Sequence, residues 1–435
     1  MMNYQETIEY LYTQLPQFQT QGAIAYKPGL ERVEQLLAFC GSPQNDLSAV
    51  HVAGTNGKGS TSTMLAAILA SAGYKVGLFT SPHLIDFRER IRVNGEMIPE
   101  SEVVRFVENI LPKIPEDLKP SFFELTTAMA FDYFAREKVD IAVIEVGMGG
   151  RLDSTNVIKP LVSVITNVSV DHAAYLGSTL SAIAGEKAGI IKSHIPVVLG
   201  QSSVSEVSTV VRKNADKLSA PLIFADQKSQ ISGYFKIESG GYQIISKNFG
   251  SFVLPLEGDY QLENMATVLE VLLLLRDKGF NIADSDVRLG VRKTKEYGLR
   301  GRLEVIHDKD PKVVIDTGHN PGAWEHLHNE LDAWTENGGL LCVIGMAADK
   351  DVKQVLSKMP SNAHFIFCKA KGDRSMPAEE LAEHARSVGL SRVTVIPDVY
   401  EAYQYAMEHY SLLDTSTIFI GGSNFVVGEL LSNFK

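Results

Sequence analysis

Long apolar runs, a cysteine framework and an excess of positive charge are all missing from this 435-residue chain. No uninterrupted apolar stretch reaches the ~20 residues that a membrane-spanning helix needs. The opening residues, MMNYQETIEYLYTQLPQF, are neither basic nor followed by an apolar core, so the pattern of a signal or transit peptide is absent. The 3 cysteines, Cys40, Cys342 and Cys368, are odd in number and far apart, which argues against a disulfide scaffold and against a CxxC metal site. A net charge of −11, from 41 Lys and Arg against 52 Asp and Glu, disfavours broad contact with nucleic acid or an anionic membrane. The cytoplasm is then the default location. The chain's hydrophobic fraction of 45% and charged fraction of 21% are ordinary for an enzyme, and the length allows two or three domains. Attraction for an anionic ligand must then be local, and the clusters Arg88/Arg90/Arg92 and Arg300/Arg302 are available for it.

Glycine, by contrast, is concentrated where it carries information. The stretch AVHVAGTNGKGSTSTMLAAILASAGYKVGLFTSPH, residues 49–83, reads as strand, glycine-rich turn, helix and strand. Gly54, Thr55, Asn56, Gly57, Lys58, Gly59 and Ser60 form the turn. Such a turn at a helix N-terminus points backbone N–H groups at one spot, where the helix dipole favours an anion. Lys58 adds a charge for terminal phosphates, and Ser60 or Thr61 offers a hydroxyl to Mg²⁺. The spacing departs from the general G-x-x-x-x-G-K-[ST] pattern, because only Thr55 and Asn56 separate Gly54 from Gly57, and Gly59 follows Lys58. A tight βα turn that merely needs positive φ is the bland alternative; the glycines, lysine and hydroxyls together favour a nucleotide site.

Further along, polar residues recur just past strand ends, where open α/β sheets place ligands. Ser81 follows the strand ending at Thr80, and the run His83–Gly95 mixes aromatic, apolar and cationic side chains, as a loop against a flat anionic molecule would. A plain hairpin turning at Asn94-Gly95 is compatible with the same residues. Glu145 ends the apolar strand 139–146, and an acid in such a strand is costly unless paired or bound to metal. His172 falls after the strand 161–167, and Lys187 sits between Gly185 and Gly189 in an apolar neighbourhood. Residues 222–256 read as an antiparallel meander, and the Gly22–Gly29 segment as a surface loop. Gly258–Asn264 opens a long helix whose polar start either caps it or faces a base. The basic segment 293–302 marks a boundary between residues 1–297 and 298–435. Beyond it strands and helices alternate afresh, Rossmann-like in rhythm but without a GxGxxG fingerprint. The first of those strands ends in Asp316-Thr317-Gly318-His319-Asn320-Pro321, the last in Gly421-Gly422-Ser423.

Taken in order, GTNGKGS at 54–60, TSPH at 80–83, EVGMGGRLDSTN at 145–156, Asp171-His172, GEKAG at 185–189, Gly301-Arg302 and Asp316–Pro321 closely resemble the folylpolyglutamate synthetase/dihydrofolate synthetase family. That family belongs to the ATP-dependent Mur ligase superfamily, and the resemblance runs from about residue 20 to near the C-terminus. It implies an α/β fold: an N-terminal P-loop ATPase-like domain, with a mostly parallel sheet plus a small antiparallel one, and a smaller C-terminal Rossmann-like domain on the glutamate side. It implies an amide-forming ligase that takes ATP, L-glutamate and a reduced folate or dihydropteroate, works as a monomer, and passes through an acyl phosphate. By the same resemblance, Gly54–Ser60, Asn264, Arg302 and Asp316 hold the nucleotide, with Lys58, Lys187 and His319 in catalytic roles. Ser81, Glu145 and His172 match Mg²⁺ ligands, for two ions, and Lys187 matches a lysine carried as a carbamate. Pro82, His83, Arg88, Asp153 and Ser423 fall on the substrate side. Ser154 leaves open whether dihydropteroate is used as well as tetrahydrofolate. A peptidoglycan-precursor ligase would need a further UDP-binding domain of about 100 residues ahead of Gly54, and an ATPase without ligase chemistry would not need Lys187, Arg302 and His319.

Overall fold

Five consecutive buried residues, Ala49–Ala53, form β1, and the larger sheet of the protein is assembled around it. The computed structural model describes residues 2–16, 29–238, 240–336 and 339–434. Its first compact unit comprises Met1–Ser169, Ala173–Pro255 and Gln261–Leu299; the second comprises Val170–His172, Leu256–Tyr260 and Arg300–Lys435.

In the first unit β2 (Val76–Phe79), β3 (Ile91–Val93), β4 (Glu96–Met97), β5 (Ile141–Glu145), β6 (Val162–Ile165), β7 (Val197–Leu199) and β8 (Leu222–Phe224) join β1 in one sheet. Their order is β4-β3-β2-β5-β1-β6-β7-β8. All neighbours run parallel except at the β2–β3 and β3–β4 pairs. The parallel strands read as apolar runs because helices cover both faces. Asn94 (φ 50) and Gly95 (φ 87) turn the β3–β4 hairpin, both in the left-handed region that a two-residue hairpin requires. β1 lies between β5 and β6, with Val52 opposite Glu145 on one side and Val164 on the other. The loop after β1 therefore leaves the middle of the sheet. A separate three-stranded antiparallel sheet is built from β9 (Ile231–Lys236), β10 (Tyr242–Ser246) and β11 (Gly250–Leu254). The meander is thus shorter than its sequence indicated: residues 222–224 are β8, paired parallel with β7 in the large sheet. Of the expected Gly22–Gly29 loop, residues 22–28 lie outside the described residues.

The second unit has β12 (Glu304–Asp308), β13 (Lys312–Asp316), β14 (Leu340–Ile344), β15 (His364–Phe367), β16 (Val393–Val395) and β17 (Thr417–Gly421), in the order β12-β13-β17-β14-β15-β16. Only β12 is antiparallel among the described strands of this sheet, and it was not anticipated: it is half-buried, with just Val305 and Ile306 apolar, so it lacks the apolar run that marks its neighbours. Trp324, Phe365, Phe367 and Phe419 fill the core on which helices such as Pro321–Glu336 pack.

Candidate active site

The glycine-rich turn is held from behind by β6 and the residues after it. Thr55 N–H donates to the Asn167 carbonyl at 3.0 Å, and Asn56 N–H to Asn167 Oδ1 at 2.9 Å. The Thr166 hydroxyl donates to the Asn56 carbonyl at 2.6 Å. Gly54 (φ 155) and Gly57 (φ 81) allow the reversal, and neither has room for a side chain. A Cβ on Gly54 would lie 1.8 Å from Thr166 Oγ1, and one on Gly57 would lie 2.2 Å from Asn264 Oδ1. Gly57 caps the helix Lys58–Ser71, whose first-turn amides have no intrahelical acceptor. Lys58 Nζ folds over the turn and donates to the Gly54 and Thr55 carbonyls, both at 3.1 Å. Gln261 Nε2 approaches Ser60 Oγ at 3.3 Å, and Asn264, on the same helix Tyr260–Asp277, closes the turn from the side of Gly57. A cradle that only glycine fits, with a lysine above it and a fresh helix N-terminus below, has the shape and charge to accept an anion such as a polyphosphate.

β2 and β5 are neighbours, so the residues past their carboxyl ends meet. Ser81 N–H donates to Glu145 Oε2 at 3.1 Å, and Glu145 is buried. A serine hydroxyl and a buried carboxylate are hard oxygen donors of the kind a divalent cation takes, so these residues fit Mg²⁺. The metal-ligand set expected from sequence is divided between the units, with Ser81 and Glu145 in the first and His172 in the second. His172 has φ 52, a left-handed conformation that few non-glycine residues adopt. Among the described residues no three His, Cys, Asp or Glu side chains converge on a metal-sized space, and the expected set has only two of those types.

The loop after Ser81 is stiffened by its own charges. Asp86 takes Arg88 Nη2 at 2.8 Å and the Tyr4 hydroxyl at 3.2 Å. Glu89 accepts the amides of Leu84, Ile85 and Asp86 at 2.8, 3.0 and 2.9 Å. Arg88 is therefore committed to an ion pair. Arg90, only 3% exposed, lies over the Phe122 ring and donates from Nε to His83 Nδ1 at 2.7 Å. Burial and then the Arg90 charge push His83 down to about 3, so His83 is neutral, with Nε2 facing the Tyr12 hydroxyl at 3.2 Å. Pro82 is exposed beside them. Asp153 is buried and ties the glycine-rich segment after β5, accepting Met148 N–H at 2.9 Å. Lys187, on the helix Leu180–Ala188, is 2% exposed.

In the second unit the loop after β13 is built on Asp316. Its carboxylate accepts Gly318 N–H at 2.6 Å, Leu303 N–H at 2.8 Å and the Tyr260 hydroxyl at 3.2 Å. Burial nevertheless raises its pKa, outweighing the Arg302 charge and those donors. Arg302 itself hydrogen-bonds the Thr317 hydroxyl and the Gly301 carbonyl. His319 Nδ1 lies 2.9 Å from the Thr317 carbonyl, and its Nε2 lies 3.6 Å from Asp171 Oδ2. Asp171 is the centre of this cluster. Lys350 Nζ reaches Asp171 Oδ1 at 2.6 Å, Asn320 Nδ2 reaches Oδ2 at 3.1 Å, and His172 follows in the chain. Burial would raise the Asp171 carboxyl, but the His319 hydrogen bond and the His172 and Lys350 charges hold it well below the usual range. Ser423 caps the helix Asn424–Ser432 by accepting Phe425 N–H at 3.1 Å.

Lys350 was absent from the residues singled out by sequence, while Asn320 and Tyr260 were noted only as members of the segments Asp316–Pro321 and Gly258–Asn264. The signal for Lys350 was present: Ala347-Ala348-Asp349-Lys350-Asp351 follows the carboxyl end of β14, the same kind of position that marked Asp316.

Two domain families match this chain: the Mur ligase middle domain over residues 52–272 and the Mur ligase glutamate ligase domain over residues 301–424. The chain belongs to the Mur ligase family. Within it, this ligase is 35% identical over 395 residues to the dihydrofolate synthase/folylpolyglutamate synthase of Bacillus subtilis, covering 88% of this chain and 87% of that one. Escherichia coli FolC, solved in complex with DHPP and ADP, superposes with a TM-score of 0.84 at 30% identity, covering 100% of the ligase and 98% of FolC. The bifunctional folylpolyglutamate synthase/dihydrofolate synthase of Yersinia pestis, solved with AMPPNP and a manganese ion, gives a TM-score of 0.82 at 29% identity, covering 100% of this ligase and 98% of the Yersinia enzyme.

Proposed function

We propose that this ligase uses ATP to join L-glutamate to reduced folates and their polyglutamates, and to dihydropteroate as well. The observation that carries the reading is the glycine cradle on β1 beside the paired Ser81 and Glu145 at the ends of β2 and β5, in a chain similar over 88% of its length to an enzyme named for both activities. A carboxylate is a poor acyl donor, so its transfer to an amine needs a leaving group. Phosphorylation by ATP supplies one, glutamate's amine attacks the acyl phosphate, and the tetrahedral adduct collapses to amide and phosphate. In that scheme the amides of the 54–60 turn and Lys58 hold the transferring phosphates and neutralise their charge. Ser81, Glu145 and His172 would be the residues to hold a divalent cation, or two, and such a cation would supply charge stabilisation to the phosphoryl oxygens. Asn264, Arg302 and Asp316 serve the nucleotide; His319 and Ser423 serve the glutamate side; Pro82, His83, Arg88 and Asp153 serve the pteridine. Lys187 is buried; addition of CO2 to its amine, with loss of a proton, would make it a carbamate and so an anionic oxygen donor for a metal. The protein acts as a monomer in the cytoplasm; among the described residues no helix is long and apolar enough to cross a membrane.

The deciding measurement is phosphate release with ATP and glutamate, using dihydropteroate in one reaction and tetrahydrofolate in another. Turnover in both is the expected result. Turnover with tetrahydrofolate alone reduces the enzyme to a polyglutamylating one, and turnover with neither overturns the folate reading.

A further inference from the structure

A chain of hydrogen-bonded side chains runs through the first unit from the middle of β1 to the segment after β5. His51, fully buried in an otherwise apolar strand, places Nε2 2.8 Å from Thr155 Oγ1. The Thr155 hydroxyl donates to Asp153 Oδ1 at 2.6 Å, and Thr155 N–H donates to the same oxygen at 3.0 Å. Asp153 Oδ2 accepts Met148 N–H. The carboxylate thus ties two ends of one loop, and the tie is anchored in the strand that carries the phosphate turn.

The direction of the protons follows from the partners. Thr155 has one hydroxyl proton, and the short contact to Asp153 takes it, so toward His51 the hydroxyl oxygen accepts. His51 must therefore carry its proton on Nε2. Its Nδ1 is buried without a hydrogen-bond partner. The opposite polarity would place a proton on Asp153 and leave an N–H at that dry Nδ1, and a stranded buried N–H is the rarer and costlier fault. Burial, followed by the nearby Lys192 charge, pushes His51 down to about 3, which agrees with a neutral ring. Burial raises the Asp153 pKa, and the Thr155 hydroxyl and the Met148 and Thr155 amides pull against it by donating to the carboxylate.

We propose that His51 is a positioning residue for Asp153, acting through Thr155: the relay fixes the orientation of the Asp153 carboxylate as a hydrogen-bond acceptor and so sets affinity for the pteridine substrate. This rests on the substrate-side reading of Asp153 given above. A core histidine that is merely satisfied by a threonine would contribute to stability and would not discriminate between substrates.

The test combines a spectrum and a kinetic split. In full-length protein labelled with ¹⁵N-histidine, His51 is expected as the neutral Nε2–H form that does not titrate between about pH 5.5 and 8.5. Titration in that window, or an Nδ1–H form, overturns the relay. Thr155→Val is nearly isosteric and keeps the fold; it and His51→Leu are expected to raise the KM for the pteridine substrate roughly ten-fold or more, with the KM for ATP unchanged within about two-fold. Thr155→Ser, which restores the hydroxyl, is expected to bring the pteridine KM back. Equal rises in both KM values mean a structural role and reject the proposal. Unchanged pteridine KM in Thr155→Val, alongside a raised KM in Asp153→Asn, rejects the relay while keeping Asp153 on the substrate side. Unchanged KM in Asp153→Asn removes the substrate-side reading itself, and the proposal with it.

Discussion

The loop after β1 and the loop after β13 stand in the same topological position, each leaving the carboxyl end of a parallel strand and entering a long helix. Their chemistry is opposite. After β1 the turn has no acid; Gly54 and Gly57 adopt positive φ, and Lys58 covers the opening. After β13 the turn begins with Asp316, whose carboxylate takes the Gly318 and Leu303 amides. One loop leaves its helix N-terminus open to an external anion; the other supplies an anion of its own, and what it presents instead is His319 and Asn320 toward Asp171 and Lys350. Position past a strand end marks a place for function, and the residue at the strand's last position decides which sign of ligand charge the loop suits.

The largest expected effect separates the loops by catalysis. Lys58→Ala removes the side-chain cation that folds over the glycine turn, and turnover should fall roughly 10²–10³-fold with little change in melting temperature. Turnover within a few-fold of wild type in a folded variant would make the β1 turn an ordinary βα connection. Next, alanine at the two glycines should cost different amounts. At Gly57 it meets positive φ and Asn264, for a loss of about 1–2 kcal/mol from the left-handed conformation alone. At Gly318 φ is not positive, and the new methyl meets side chains alone, the end of Leu327 at 2.7 Å and Asp316 Oδ1 at 3.0 Å, so small side-chain shifts should hold the cost to about 1 kcal/mol. Chemical denaturation of both variants reads the difference directly; equal costs would erase the distinction between a cradle shaped by backbone and a loop shaped by a side chain. Smaller again is Tyr260→Phe, which deletes one of the donors to Asp316 and should cost about 0.5–1.5 kcal/mol without touching the β1 turn.

How far each loop was legible follows from where its partners lie in the chain. Gly54–Ser60 is local, and its glycines, lysine and flanking apolar strand and helix are adjacent in sequence. Ser81 and Glu145 were legible one at a time, as polar residues past strand ends, but their meeting depends on β2 and β5 being neighbours. The Asp171 cluster was opaque: Asn320 is 149 positions away and Lys350 179, so no periodicity joins them. β12 escaped because an edge strand with only two apolar residues, Val305 and Ile306, looks like a continuation of the polar boundary segment before it. The 222–224 strand was absorbed into the meander because three residues carry too little pattern to announce a parallel partner. His51 was hidden by its strand, since an apolar run is read as core regardless of one polar member.

The finest way to sharpen the comparison is to titrate the acid that the second loop has and the first lacks. Asp316 is buried, and burial raises its pKa above the ordinary aspartate value of about 4, against the pull of Arg302 and the donors around it. An acid whose pKa is higher folded than unfolded binds its proton more tightly in the folded state. Its contribution to stability is therefore greatest when it is protonated in both states, and it declines as pH rises from the unfolded value through the folded one. The readout is a slope in unfolding free energy, which is smaller and harder to measure than a midpoint shift. Asp316→Asn removes the titrating group, and Gly57 and its turn supply no counterpart. The expected result is that wild-type stability falls relative to Asp316→Asn as pH rises across that interval, and that the difference is flat above it. A difference that instead grows with pH would mean that the amides and Arg302 outweigh burial, and that Asp316 is an anion stabilised by its loop at every pH above the ordinary aspartate value.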